Sequence, residues 1–323
     1  MITEVPGIRV GHCTDPQGLT GCSVVLCERP AVGGVELRGW ATGVHGLDFL
    51  DPRHLSPTLN AVILSGGSAF GLEAVFGVMQ YLEERGIGFK AGPVVVPHVA
   101  SAILFDLSVG DPRARPTRAM GYRACLKAQS GPVEEGNAGA GTGASVGKLF
   151  GIRRAMKGGV GSASVRVGEG VVGALVAVNA FGDVRDPETG QILAGTRDTP
   201  DGRWFVDTAA ELRRGTPLRA FTVPQHTTIG VVATNVALTK SEAANVAQLG
   251  LLGFARVLSP PHTVVDGDAL FCLSVGDLRA ELTAVGLAAA DAVAQAIVRG
   301  IRAAASLPGL PAWSDLHASL PPG

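Results

Sequence analysis

The chain reads as an α+β protein in which mixed β-sheets pack face to face between outer layers of helix. Three observations predict this. Short apolar runs of strand length recur at residues 23–26, 61–64, 94–96, 163–167, 172–178, 229–233 and 269–275. Residues 163–167 and 171–179 are separated only by Gly168-Glu169-Gly170, a turn that makes them an antiparallel hairpin and argues against a simple doubly wound parallel sheet. Three other segments repeat apolar residues at the helical spacing of three and four, so helices lie outside the sheets.

The helical segments come with ends. Ser68 is placed to cap a helix whose stripe is Leu72, Val75, Phe76, Met79 and Leu82, and Gly86 stops it after Glu83-Glu84-Arg85. Thr239 and Glu242 form a capping-box pair ahead of Val246, Leu249, Leu252 and Phe254. A third helix is predicted over 277–305, with Pro308 beyond it. The Pro/Arg-rich stretch Asp111-Pro112-Arg113-Ala114-Arg115-Pro116 and the polar stretch 183–203 read as exposed connections within one domain spanning 1–323, because strand-like runs continue on both sides. Forty-five glycines without a G-X-Y period mark turns and close backbone approaches rather than low complexity.

Composition narrows the function classes. With 46% hydrophobic and 17% charged residues over 323 positions, the chain can bury a large core. A formal net charge of −1 and no Lys/Arg run leave neither nucleic acid nor a membrane surface an electrostatic footprint. The N-terminus lacks a basic region followed by an apolar stretch, so no secretory signal is expected, and no apolar segment is read as long enough to span a bilayer. Five cysteines (Cys13, Cys22, Cys27, Cys125, Cys272) form no metal pattern and no even set for disulfides, which predicts reduced thiols and a cytoplasmic location. Cys272 lies inside an apolar run, the setting of a buried small hydrophobe.

Five places carry candidate chemistry. Thr227-Thr228 follows His226 and leads into the apolar run at 229–233, so a turn at Pro224-Gln225 delivers a hydroxyl to the start of a buried strand, as in self-cleaving N-terminal-nucleophile hydrolases. Strand preference alone also puts threonine there. Asp266 and Asp268 are two residues apart before another apolar run, so in extended structure they share a face; an Asp-Gly-Asp turn facing water is the alternative. With His262 they offer three metal ligands but no supporting cluster. The glycine run from Glu135 to Ala144 fits neither a dinucleotide fingerprint nor a phosphate loop, since Lys148 comes too late, and serves better as a backbone wall beside a small substrate. Asn179 ends a strand, where its amide can donate to an oxyanion, and Lys148 can help activate a hydroxyl if burial lowers its pKa.

Taken together these segments resemble the L-aminopeptidase/D-esterase (DmpA-like) family of self-processing hydrolases, which includes β-aminopeptidases and nylon-oligomer hydrolases. The resemblance runs nearly the whole length, through Gly7-Ile8-Arg9-Val10-Gly11-His12, Ser65-Gly66-Gly67-Ser68-Ala69-Phe70-Gly71-Leu72, Gly136-Asn137-Ala138-Gly139-Ala140-Gly141-Thr142-Gly143, Lys157-Gly158-Gly159-Val160-Gly161, Val178-Asn179-Ala180-Phe181-Gly182 and Thr227 to Thr234. It implies a four-layer αββα sandwich, cleavage between His226 and Thr227, and attack by Thr227 on the amide or ester bond of a small peptide or amide. It further implies that Asp266 and Asp268 support the hydroxyl, that Lys148 and the oxyanion-hole Asn179 complete the site, and that Glu135 holds a substrate's free amine. A homotetramer with no metal or organic cofactor follows from the same resemblance. Two positions depart from the family: His226 stands where asparagine or glycine is usual, and Phe105 stands where the hydrolases have a tyrosine whose hydroxyl assists the oxyanion. An acyltransferase of the ornithine-acetyltransferase type and an unprocessed, silent binding protein are the alternatives.

Overall fold

The computed structural model describes residues 1–217 and 226–317. Nine strands form its framework. They are β1 (Ile8–Asp15), β2 (Thr20–Gly39), β3 (Val44–His45), β4 (Leu59–Ser65), β5 (Val99–Ile103), β6 (Gly159–Val167), β7 (Gly170–Val178), β8 (Ile229–Val236) and β9 (Gly267–Leu278).

β2 is 20 residues long and belongs to two sheets. Cys22–Leu26 pair with β4, whereas Val32–Gly39 pair with β9. The changeover falls at exposed Glu28, Arg29 and Pro30, where the register to β4 shifts and proline withholds a ladder donor. The first sheet runs β1-β2-β4-β5-β3 and the second β6-β7-β8-β9-β2. The predicted hairpin is β6 and β7, antiparallel from Gly159↔Val178 to Val167↔Gly170, while β8 and β9 are parallel.

Period-two patterning sends adjacent residues into different cores. Val25, Val62, Leu64, Leu175, Val231 and Phe271 meet between the sheets. Their neighbours Val24 and Ile63 face outward onto Val75, Val78 and Leu82 of α1 (Ala74–Glu83) and Ala124 of α2 (Arg118–Leu126). On the opposite side Val176, Val232 and Cys272 pack against three helices, α3 (Lys240–Gly250), α4 (Leu252–Val257) and α5 (Leu282–Arg302), through Val246, Phe254, Val293 and Ile297. Three apolar interfaces therefore hold four layers, helix–sheet–sheet–helix, which is the expected αββα class.

Several local expectations are corrected. Residues 94–96 form a strand, but an exposed one, in a two-stranded hairpin with Phe89–Ala91 that no layer covers. Ser68 caps nothing: Gly67 holds the N-cap position of a 3₁₀ segment, Ser68–Glu73, that precedes α1. The Thr239–Glu242 capping box is present, yet its stripe belongs to two consecutive helices, and Leu252 is exposed. α5 starts later than predicted, capped by the Glu281 side chain, because β9 continues to Leu278. It is long and apolar enough to cross a membrane by composition, contrary to the sequence reading, but its small residues pack mostly inside the protein. The stretch 183–203 is not simply an exposed connection: Asp183, Val184, Leu193 and Thr196 are buried and short strands form at Asp183–Arg185 and Ile192–Ala194. The expected turn at Pro224-Gln225 lies outside the described residues.

Candidate active site

The parallel pairing of β8 with β9 continues upstream through a bridge between His226 and Asp266, so the residues just before β8 run alongside the Asp-Gly-Asp segment. Thr227 is 3% exposed and lines a cavity of ≈ 280 Å³ together with Ala41, Thr42, Ser68, Ile103, Phe105 and His226. Larger cavities exist, ≈ 600 Å³ beside Trp204 and His317 and ≈ 470 Å³ beside His12 and Lys127, but neither is lined by a Ser, Thr or Cys beside a buried amine. Chemistry rather than size picks the Thr227 cavity.

Thr227 is held at two points. Its N–H donates to the Asn179 carbonyl at 3.0 Å, and its Oγ1 donates to the carbonyl of His226, the very peptide it would attack. That carbonyl also accepts the Gly267 N–H at 3.1 Å. Gly267 has to be glycine, since a Cβ there would stand 2.1 Å from the Ala41 carbonyl oxygen. Lys148 Nζ donates to the Asn179 carbonyl at 3.0 Å and to its Oδ1 at 2.9 Å, so threonine, asparagine and lysine form one hydrogen-bonded unit. Asn179 Oδ1 accepts Ser145 N–H at 2.9 Å, and Asn179 Nδ2 donates to the Phe105 carbonyl at 3.1 Å.

Both aspartates are buried, and the Asp268 charge acts on the Asp266 carboxyl. Asp268 Oδ1 accepts the Thr228 N–H at 2.7 Å and its Oδ2 lies 2.7 Å from His262 Nδ1. Asp266 Oδ1 accepts the Phe181 N–H at 3.1 Å while Oδ2 is held by the N–H and hydroxyl of Thr263. His262 thus orients Asp268, and among the described residues no group of three or more His, Cys, Asp or Glu is set to hold a metal ion.

Burial sets the electrostatics. It pushes the Lys148 ammonium down to about 7, against the opposing pull of Asp266 and Asp106. Burial first, and the Asp268 charge second, drive the Asp266 carboxyl well above its usual range. Burial also keeps His226 neutral far below the usual imidazole value, with the Lys148 charge adding to the effect. An amine that gives up its proton near neutrality, linked through the Asn179 carbonyl to Thr227, has the protonation chemistry a general base requires.

Not every expected residue joins this unit. Phe105 lines the cavity, but Glu135 does not: Gly136 pairs with Val160 of β6, and this turns the Glu135 carboxylate onto Ser162 N–H at 2.8 Å and the Arg299 guanidinium at 2.9 and 2.6 Å. Three groups were missed by sequence reasoning. Asp106, next to Phe105, is buried and accepts Thr20 Oγ1 and Gly67 N–H, each at 2.7 Å. Lys157 is fully buried against the carbonyls of Gly141, Ala144 and Gly158. Ser68, read as a helix cap, faces the cavity instead. Only Lys157 left a signal, a lone lysine in a glycine-rich strand entry.

Fold and site together define a peptidase-type amide hydrolase. A family model described as peptidase family S58 matches residues 1–312, and the chain belongs to that family. It is 38% identical to an uncharacterized aminopeptidase of Mycobacterium tuberculosis, covering 98% of this chain and 97% of the relative. It is 31% identical to the 6-aminohexanoate-oligomer endohydrolase of a Kocuria strain, over 85% of this chain and 75% of the relative. The L-aminopeptidase D-Ala-esterase/amidase of Ochrobactrum anthropi, described as a variant of the Ntn-hydrolase fold, superposes with a TM-score of 0.72 over 98% of this chain and 92% of its own, at 20% identity. That likeness shows the fold.

Proposed function

We infer that this chain cuts itself between His226 and Thr227 and that the freed Thr227 then hydrolyses the amide bond of small peptides or amides as an aminopeptidase or amidase. One observation carries the reading: Thr227 Oγ1 rests on the His226 carbonyl at the wall of a cavity, with Lys148 and Asn179 behind it. In the first step Oγ1 attacks the His226 carbonyl carbon while Gly267 N–H takes up the developing charge. The proton leaves Oγ1 and reaches the Thr227 nitrogen as the C–N bond breaks and frees the threonine amine, and water then hydrolyses the resulting ester to release the Thr227 hydroxyl and a His226 carboxylate. In turnover the same hydroxyl attacks a substrate carbonyl, the amine product departs with a proton, and water releases the acyl group. The neutral amines available near pH 7, Lys148 and the new α-amine, act as bases.

The modest cavity supports small substrates, and the relatives' names, aminopeptidase and 6-aminohexanoate-oligomer endohydrolase, support an amide carrying a free amine. A homotetramer of cleaved pairs completes the proposal, to be checked by light scattering. Denaturing electrophoresis with N-terminal sequencing tests the core of it. The expected result is two fragments, the shorter beginning at Thr227, and a single uncut band in Thr227→Ala with amidase activity gone. Full activity in that variant would overturn the assignment.

A further inference from the structure

The cavity wall holds a second hydroxyl, that of Ser68, and the backbone takes an uncommon conformation to place it. Ser68 lines the same cavity as Thr227 and Phe105, with φ 55° in the left-handed region that residues bearing a Cβ rarely occupy. It stands in the turn between β4 and the segment Ser68–Glu73. That turn has no slack: a Cβ on Gly66 would sit 2.2 Å from Asp106 Oδ2, and one on Gly71 would sit 1.8 Å from the Gly66 carbonyl oxygen. Gly67 N–H donates to Asp106 Oδ1 at 2.7 Å and Ser68 N–H to the Leu104 carbonyl at 3.0 Å. The Ser68 hydroxyl itself makes no hydrogen bond among the described residues. A strained, tightly fixed turn that presents an unused hydroxyl to a cavity points to a ligand for that hydroxyl.

The chemistry at Thr227 supplies the ligand. Attack on an amide puts negative charge on the carbonyl oxygen, which needs preorganised donors. Asn179 Nδ2 commits one of its two N–H groups to the Phe105 carbonyl, the Phe105 ring carries no donor, and Gly267 N–H serves the His226 carbonyl in the uncut chain, so a further hydroxyl donor adds to a sparse set. Thr42, the remaining hydroxyl of the lining, is exposed at the rim. We propose that Ser68 Oγ–H donates to the scissile carbonyl oxygen of the bound substrate and stabilises the oxyanion formed when Thr227 attacks. This rests on the Thr227 reading and deepens it: self-cleavage uses Gly267 N–H, and turnover adds Ser68 Oγ–H.

The experiment compares Ser68→Ala, Ser68→Gly and Thr227→Ala with the wild-type chain, using alanine p-nitroanilide as probe and N-terminal sequencing for self-cleavage. Ser68→Gly relieves the left-handed strain and is expected to melt no lower than wild type, so loss of activity there is not loss of fold. Both Ser68 variants are expected to yield the Thr227 fragment, with kcat down about 10²-fold and KM within about threefold of wild type. A processed Ser68 variant with wild-type kcat overturns the proposal, as does a rise in KM alone or failure of both variants to self-cleave. Wild-type turnover that does not depend on Thr227 removes the parent reading and this one together, and the Thr227→Ala control reveals that case separately.

Discussion

Lys148 and Lys157 are nine residues apart in sequence, both buried, and both pushed down by burial to about 7, yet they do different things. Lys157 spends its donors on three backbone carbonyls of the glycine-rich segment, Gly141, Ala144 and Gly158. Lys148 donates to Asn179 twice, through both the carbonyl that Thr227 also uses and the side-chain oxygen. Both Asn179 oxygens held by Lys148 also accept a backbone N–H, while Lys157 ties the carbonyls of Gly141 and Ala144 to that of Gly158. The same desolvation thus yields a backbone clamp in one case and an amine joined through Asn179 to the proposed nucleophile in the other. A lowered pKa by itself does not identify a functional lysine; the partners decide.

Exchanging each lysine for methionine breaks the comparison if it is wrong. Lys148→Met is expected to lower amide turnover by about 10²–10⁴-fold, measured on the processed enzyme, with little change in melting temperature because Ser145 and Thr227 still satisfy Asn179. Lys157→Met is expected to do the reverse. The Gly158 carbonyl loses its Lys157 donor, while those of Gly141 and Ala144 keep the N–H groups of Ala144 and Gly158, and this costs about 1–3 kcal/mol of stability by urea unfolding. Equal effects of the two variants on activity would erase the distinction.

The pH dependence sharpens it further. In the unfolded chain each amine keeps its proton up to 10.5, and in the folded chain it gives the proton up near 7. Between those values the unfolded state binds more protons, so each lysine makes stability rise with pH, by about 1.4 kcal/mol per pH unit at most. Asp266, whose carboxyl is raised, acts oppositely and removes stability as pH climbs above 3.8. Unfolding of Lys157→Met between pH 7.5 and 9.5, about the middle of that window, is expected to show a shallower rise than wild type. The smallest effect belongs to Glu135→Gln. Its partly exposed pairing with Arg299 is worth less than about 1 kcal/mol, and KM for an amine-bearing substrate is expected to stay unchanged, because the carboxylate lies outside the cavity lining.

What the residues announced locally held up where the signal was short-range. The hairpin of β6 and β7 needed only its turn, and the Thr239–Glu242 box only three residues of spacing. Thr227 just ahead of β8 and Asp268 at the start of β9 follow from the apolar runs behind them. Phe105 and Asp106 show the limit, since one was noticed and its neighbour was not: Asp106 matters through Thr20, 86 residues away, and no local pattern reports that.

By itself, then, the sequence determined the layer class, the strand that Thr227 leads into and the strand that begins at the Asp-Gly-Asp segment, because apolar period and turn chemistry act over a few residues. Tertiary structure decided the rest. It placed Glu135 on Arg299, made Lys157 a clamp, turned Ser68 from a supposed cap into part of the cavity wall, and brought Asn179 and Lys148 to Thr227. Those outcomes depend on which distant backbones meet when two sheets close over a common core, and that closure is set by burial over the whole chain rather than by any one segment.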